Sequence, residues 1–514
     1  MSIKRVGCLL VLMGWHVLAV AELYLPPLFA DGMVLQRNKP VVVWGSTEPA
    51  VEVRVAFAGQ DAVTRADEKG CFRVVLQPME ASADPRVMTI EAGDELRTVS
   101  NVLVGEVWLC SGQSNMQWPV SSSNHFEEER AAASYPGLRM FLTELTFALE
   151  PQEQVEGRWA VTTPQSVAGF SAVAYFFGRE LHEELGVPVG LIRSAWGGTA
   201  IEAWSPMDSL VKYPHVLDAI KHRQKQGETF DTEAVNRQNM ADLEAWKKAV
   251  EVAKKRGEKP PRRPFWKHHP VLSQHYPANL YHAMIHPHLP FSMRGAIWYQ
   301  GEANTHSIEA AKLYRELLEN MTMSWRDAWD DSFSFYAVQL VNFMEPVKAA
   351  VQDSAWAHIR QSFLDFHKEV EGAGIAVGID VGEADDIHPR DKQTVGYRLA
   401  QQALVHDYGF ERVAGGPIYE SVEMRGSHAV LHFSDVGSGL MAKDGEPLRW
   451  FAVAGEDQAF VRAKAEIVGE TVVVHHPEVK EPKAVRYAWA NNPEGCNLFN
   501  NEGFPASPFR TDDW

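Results

Sequence analysis

The sequence predicts an α/β protein with a mainly parallel sheet, flanked by a β region on each side. Three observations predict it. Near-continuous apolar runs, at 102–110 and 189–196 among others, read as strands buried on both faces. Helical patterns lie between several of these runs, as in 173–185 and 357–370, and that alternation is the mark of a parallel sheet. Residues 22–100 and those beyond about 411 carry strand-like periodicity and turn signals instead.

The chain has 514 residues, enough for about three domains. Hydrophobic residues make up 45% and charged residues 23%, an ordinary globular composition that excludes wholesale disorder. A formal net charge of −18 argues against a nucleic-acid partner, because an acidic surface repels phosphate backbones. Sixteen tryptophans suit both core packing and stacking on sugar rings.

The N-terminus predicts a secretory signal over 1–21. Lys4 and Arg5 precede an apolar run, and Ala19-Val20-Ala21 is a small-x-small cleavage site. The expected mature protein is secreted or periplasmic, with no membrane span after cleavage. Cys71, Cys110 and Cys496 remain beyond the signal, so one disulfide at most is expected, of undetermined pairing.

Residues 22–100 form the expected N-terminal β domain. Val51, Val53, Val55 and Phe57 alternate with other residues, and Asp67-Glu68-Lys69-Gly70 is a turn signal. Residues 101–410 form the expected α/β domain, with further strands at 294–299, 335–341 and 375–380. A helical insertion at 207–270 interrupts it, including a helix over 233–256 that stops at Gly257. Residues 411–514 form the expected C-terminal β region, with strands at 430–433 and 471–474.

Short polar segments follow the strands, where an open α/β sheet places its site. Gly112-Gln113-Ser114-Asn115-Met116 puts a serine after the first strand, with a helix start to offer N–H groups to an oxyanion. It is not the G-x-S-x-G elbow, since position 116 is Met. Gly197-Gly198-Thr199 allows close backbone approach to a ligand. Gln300-Gly301-Glu302-Ala303-Asn304 offers two amides and a carboxylate, with Glu302 read as a structural acceptor. Asp385-Asp386-Ile387-His388 supplies a base and a carboxylate to hold it. Spacing favours Asp385 without excluding Asp386. Trp118 and Trp204 lie near these segments and could line a sugar site or pack in the core.

Parts of the sequence also suit two other function classes. His282, His286 and His288 have spacings that can suit zinc, but Pro287 breaks the helix and no third-ligand motif stands out. A non-catalytic glycan-binding protein would also use many Trp and two β regions.

In their order, the Ser114, Gly197, Gln300 and Asp385–His388 blocks resemble those of SGNH-type carbohydrate esterases, and within them the sialate O-acetylesterase family. Asp31-Gly32-Met33-Val34-Leu35-Gln36-Arg37, Tyr487-Ala488-Trp489-Ala490 and Pro505-Ala506-Ser507-Pro508-Phe509 extend the resemblance over most of the chain outside the insertion. The resemblance implies a three-layer α/β sandwich and a serine esterase that removes O-acetyl groups from sialic acid or related sugars. Acetylxylan or another acetylated polysaccharide is the second candidate. It implies Ser114 as nucleophile, His388 as base and Asp385 as its partner. The Ser114 and Gly197 N–H groups would form the oxyanion hole with Gln300, or with Asn304 in its place. No metal or cofactor is implied. Sialic acid carries a carboxylate, for which Arg193 and Arg294 are the candidate cations.

Overall fold

The computed structural model describes residues 22–514. The expected signal peptide lies outside the described residues. One strand, Glu95–Gly112, organises the molecule. Its first half pairs antiparallel with Ser82–Ala92, and Leu103–Gly105 pair in parallel with Val34–Gln36. Its second half lies in the α/β sheet, between Gly295–Tyr299 and Val189–Ala195.

From one edge, that sheet runs Ala373–Val377, Ser334–Gln339, Gly295–Tyr299, Glu95–Gly112, Val189–Ala195, Tyr135–Thr143 and Gly157–Thr162. Every pair is parallel except the last, which is antiparallel. The chain winds to one side of the Gly112 strand first and to the other side afterwards. The carboxyl end of that strand is therefore a topological switch point, where open sheets leave a crevice.

Helices cover both faces. Phe335 and Tyr336 are successive strand residues and point to opposite sides. Phe335 meets Phe366 of helix Ala355–Glu369, and Tyr336 meets His406 of helix Lys392–His406. Trp298 packs on Trp325 of helix Ile308–Trp329, while Trp108 packs on Phe177 of helix Ala172–Leu185. The last of these helices starts as its sequence dictates, with Ser171 Oγ accepting the Ala174 N–H at 3.2 Å. It ends on Gly186, whose φ of +64° suits the residue with no Cβ.

The insertion is helical, with Pro214–Glu228 and Thr232–Arg256 as its long elements. Outside the α/β sheet, Glu52–Phe57 pairs with Gln60–Arg65 and Ser82–Ala92, and Val41–Ser46 pairs with Cys71–Leu76. Residues beyond 411 form two four-stranded sheets and a small two-stranded one. The chain is thus a mixed α/β protein with one large sheet and additional antiparallel sheets. The expected boundary at 100/101 falls inside a single strand rather than at a linker. Cys71, Cys110 and Cys496 are all free thiols, so the disulfide allowed by the sequence is not formed.

Candidate active site

The site is built at the carboxyl ends of the central strands. Gly112 has φ +140°, and a Cβ there would sit 2.2 Å from the Tyr299 carbonyl oxygen, so only glycine lets the two strand ends close together. The chain then turns into the short helix Ser114–Gln117. The Ser114 N–H lies in its first turn, where backbone donors have no partner within the helix. Gly197, just past the neighbouring strand, packs so closely that its Cβ would lie 3.2 Å from Ser114 Cβ.

His388 arrives from the loop after the edge strand Ala373–Val377, and its Nε2 lies 2.9 Å from Ser114 Oγ. The indole of Trp118 stacks on a face of the imidazole, with ring centroids 4.8 Å apart and planes 11° apart. Trp118 is itself held by its Nε1–H donating to the Ser122 carbonyl at 3.1 Å. Burial pushes the His388 pKa below the usual imidazole value, and Lys392 pushes it the same way while Asp386 opposes.

The carboxylate beside His388 belongs to Asp386, not Asp385. Asp386 Oδ1 lies 3.5 Å from His388 Nδ1 and accepts the His388 backbone N–H at 2.9 Å. Asp385 instead turns outward, with 74% of its side chain exposed, and faces Lys259 of the insertion at 3.7 Å. The tight turn closed by the Asp386 carboxylate decides this, and the D-x-x-H spacing does not reveal it.

The two amides expected to complete the oxyanion hole are committed elsewhere. Gln300 is fully buried, and its Nε2 donors face Asn304 Oδ1 at 2.8 Å, the Thr199 carbonyl at 3.1 Å and Gln113 Oε1 at 3.2 Å. Its Oε1 accepts from the Tyr314 hydroxyl at 2.7 Å. Asn304 donates to Glu202 at 3.0 Å and accepts from the Ile201 N–H at 3.1 Å. Both are braces that tie the loops together beneath the site. The Gly197 N–H is directed at Gln117 Oε1, 3.0 Å away.

Trp204 is fully buried, with its Nε1 donating to Thr199 Oγ1 at 2.9 Å, so it is core and not sugar-facing. Arg294 is tied to Glu106 at 3.1 Å, at the opposite end of its strand from Gln300. Arg193 has no carboxylate partner among the described residues, and burial lowers its pKa. The three histidines with zinc-like spacing take separate partners. His282 Nδ1 meets the Ala148 carbonyl at 3.2 Å, His286 Nδ1 the Gln152 carbonyl at 3.0 Å, and His288 Nε2 meets Thr143 Oγ1 at 3.1 Å.

Sequence reasoning passed over Gln117 and Lys392, and left Asn115 without a role. Asn115 Nδ2 donates to Glu302 Oε1 at 2.5 Å and to the Ile387 carbonyl at 3.1 Å, while Lys392 Nζ donates to Asn115 Oδ1 at 2.5 Å. The available signal was a lysine directly after Asp391, at the start of a helix, where a cation is unfavourable.

Comparison with known proteins agrees with this architecture. Residues 104–237 and 266–404 match the family described as carbohydrate esterase, sialic acid-specific acetylesterase. Sialate O-acetylesterase of Mus musculus is 29% identical over 93% of this chain and 92% of its own length. That of Homo sapiens is 28% identical over 93% of this chain and 90% of its own. A carbohydrate acetylesterase from Xanthomonas citri of known structure superposes with a TM-score of 0.81. It is 35% identical, and the match covers 96% of this chain and all of the other. Fold, site and likeness together define a carboxylic-ester hydrolase. The chain belongs to the sialic acid-specific acetylesterase family of carbohydrate esterases.

Proposed function

We propose that this protein removes O-acetyl groups from sialic acid or related acetylated sugars through an acetyl-serine intermediate. The 2.9 Å contact between Ser114 Oγ and His388 Nε2 carries the reading. A serine hydroxyl is a weak nucleophile until a base takes its proton. Neutral His388 takes it as Oγ attacks the acetyl carbonyl, and Asp386 holds the opposite ring nitrogen and offsets the charge that forms. The carbonyl oxygen becomes an oxyanion received by the Ser114 and Gly197 N–H groups. To reach the latter it displaces Gln117 Oε1, the present acceptor. The protonated His388 then gives its proton to the departing sugar oxygen, and the C–O bond breaks. Water, deprotonated by His388, attacks the acetyl-serine. Collapse returns the proton to Ser114 and releases acetate.

The topology and this pair support an SGNH-type three-layer core. The substrate class follows from the family and its relatives, named for sialate esters. A sialic acid carboxylate calls for a cation, and Arg193, on the strand that runs into Gly197, is the candidate with no carboxylate partner among the described residues. The N-terminal signal motif supports secretion or periplasmic placement, and no helix among the described residues is long and apolar enough to cross a membrane.

The test is Ser114→Ala assayed with p-nitrophenyl acetate and by acetate release from O-acetylated sialoglycan and acetylxylan side by side. Turnover should fall by at least about 10³-fold on every ester with the fold retained. A variant keeping a tenth of wild-type turnover defeats the nucleophile assignment, and faster release from acetylxylan transfers the substrate assignment to acetylated polysaccharide.

A further inference from the structure

Lys392 is fully buried at the first position of helix Lys392–His406. Two physical costs meet there. Burial disfavours an ammonium, and the positive end of a helix repels one. Such a placement persists only where neighbours compensate it. The compensation is a bridge: Lys392 Nζ donates to Asn115 Oδ1 at 2.5 Å, and Asn115 Nδ2 donates to Glu302 Oε1 at 2.5 Å. An ammonium only donates and a carboxylate only accepts, so the carboxamide between them has one allowed orientation. In that orientation Nδ2 also reaches the Ile387 carbonyl at 3.1 Å. Asn115 is bonded to Ser114 and Ile387 to His388, so the bridge joins the two segments that bear the reacting pair. Lys392 Nζ lies 5.2 Å from the Tyr299 ring and 6.0 Å from the ring of Trp118, the indole stacked on His388.

We infer that Lys392, Asn115 and Glu302 form a buried charge bridge that holds Ser114 and His388 in register and, through the Lys392 charge, sets how far into acid His388 remains a base. This rests on the Ser114–His388 reading above. Lys392 and Glu302 touch no reacting atom and are positioning residues. The charged groups acting on Lys392 are Glu302, Asp386, Glu383 and Asp391, and those acting on His388 are Asp386 and Lys392. Burial lowers Lys392 to about 7 against the pull of its acidic neighbours, so it is cationic through the acid range where His388 titrates. A cation beside an imidazole disfavours the imidazolium. Removing that cation raises the His388 pKa, and the acid limb of the rate profile moves to higher pH.

The experiment is the pH dependence of kcat and kcat/KM for acetyl-ester hydrolysis by the full chain, with melting curves to confirm folding. Lys392→Met should lower kcat by about ten-fold or more with KM within about two-fold, because positioning rather than binding is lost. Its acid limb should rise by about half a pH unit or more. Lys392→Arg keeps the charge and should keep the limb at its wild-type position even where kcat falls. Lys392→Gln keeps an N–H for Asn115 without the charge and gives the same limb readout if the methionine variant does not fold. A limb that stays put in a folded, uncharged variant overturns the inference. Ser114→Ala separates the two levels: an active alanine variant undoes the nucleophile assignment, whereas an inactive one with an unmoved Lys392→Met limb removes only the bridge.

Discussion

At the scale of single residues, the site turns on which of two adjacent carboxylates meets His388. Asp386 lies 3.5 Å from Nδ1 and Asp385 points to solvent beside Lys259. A carboxylate on Nδ1 fixes the tautomer that leaves Nε2 free to accept a proton. Asp386→Asn should therefore cut kcat by at least about ten-fold, while Asp385→Asn should stay within about two-fold of wild type. Steady-state kinetics on the two purified variants checks this, and the reverse ranking would reinstate Asp385. That Ser114 and His388 lie close together was legible in the sequence because each sits in a polar motif that follows a strand and the motifs occur in a recognisable order. Asp385 was misjudged because spacing says nothing of side-chain rotation inside one turn. Gln300 was misjudged for a related reason. Whether an amide faces a substrate depends on Gln113, Thr199, Asn304 and Tyr314, which are distant in the sequence and claim its hydrogen bonds first.

At the scale of elements, the strand Glu95–Gly112 bears two loads. Its carboxyl end presents Ser114, and its middle carries Glu106, a fully buried carboxylate. Glu106 pairs with Arg37 and with Arg294 at 3.1 Å, and it accepts from Gln36 Nε2 at 2.9 Å. The segment from Asp31 to Arg37, read from sequence only as a likeness, is thus a clasp. Val34–Gln36 run parallel to the long strand, and Arg37, which follows, is pinned by the Glu106 charge. Glu106→Gln leaves two arginines without their counter-charge and should cost about 3 kcal/mol, seen as a lower denaturant midpoint. Activity per folded molecule should hold, because six strand residues put Glu106 about 20 Å from Gly112. An unchanged midpoint would show that the clasp contributes nothing. Five strands of the α/β sheet were readable as apolar runs and the helices at 173–185, 233–256 and 357–370 from their periodicity, whereas the strands Tyr135–Thr143 and Gly157–Thr162 and the helices Ile308–Trp329 and Lys392–His406 were not read. The 18-residue strand was not read as one element, because its largely exposed first part and its buried second part carry different signatures and read as separate pieces.

At the scale of the whole molecule, the C-terminal region braces the site rather than hanging from it. Arg360, fully buried on helix Ala355–Glu369, donates to the carbonyls of Leu340 at 2.7 Å and Val341 at 2.6 Å after the strand Ser334–Gln339. It also donates to those of Ala490 at 2.6 Å and Asn491 at 2.9 Å in the C-terminal region. Burial lowers its pKa to about 9. From the same junction Asn492 reaches the Met344 carbonyl at 2.6 Å, and Asn342 meets Asn492 at 3.1 Å. Asn342 Oδ1 in turn accepts the Gly382 N–H at 2.8 Å, and the Met344 N–H reaches the Ala384 carbonyl at 3.0 Å. These bonds run from the C-terminal sheets to the loop that carries Asp386 and His388. Arg360→Met removes the keystone: the Val341 and Asn491 carbonyls keep the Trp356 Nε1–H at 2.8 Å and the Phe343 N–H at 3.2 Å, but the buried carbonyls of Leu340 and Ala490 lose their donor, at about 1–3 kcal/mol for each that finds no other. The expected result is an earlier calorimetric transition in which proteolytic cleavage beyond residue 411 and loss of esterase activity occur together. The coincidence is the informative part. Cleavage that precedes inactivation by many degrees would mean that the His388 loop keeps its geometry without the C-terminal brace.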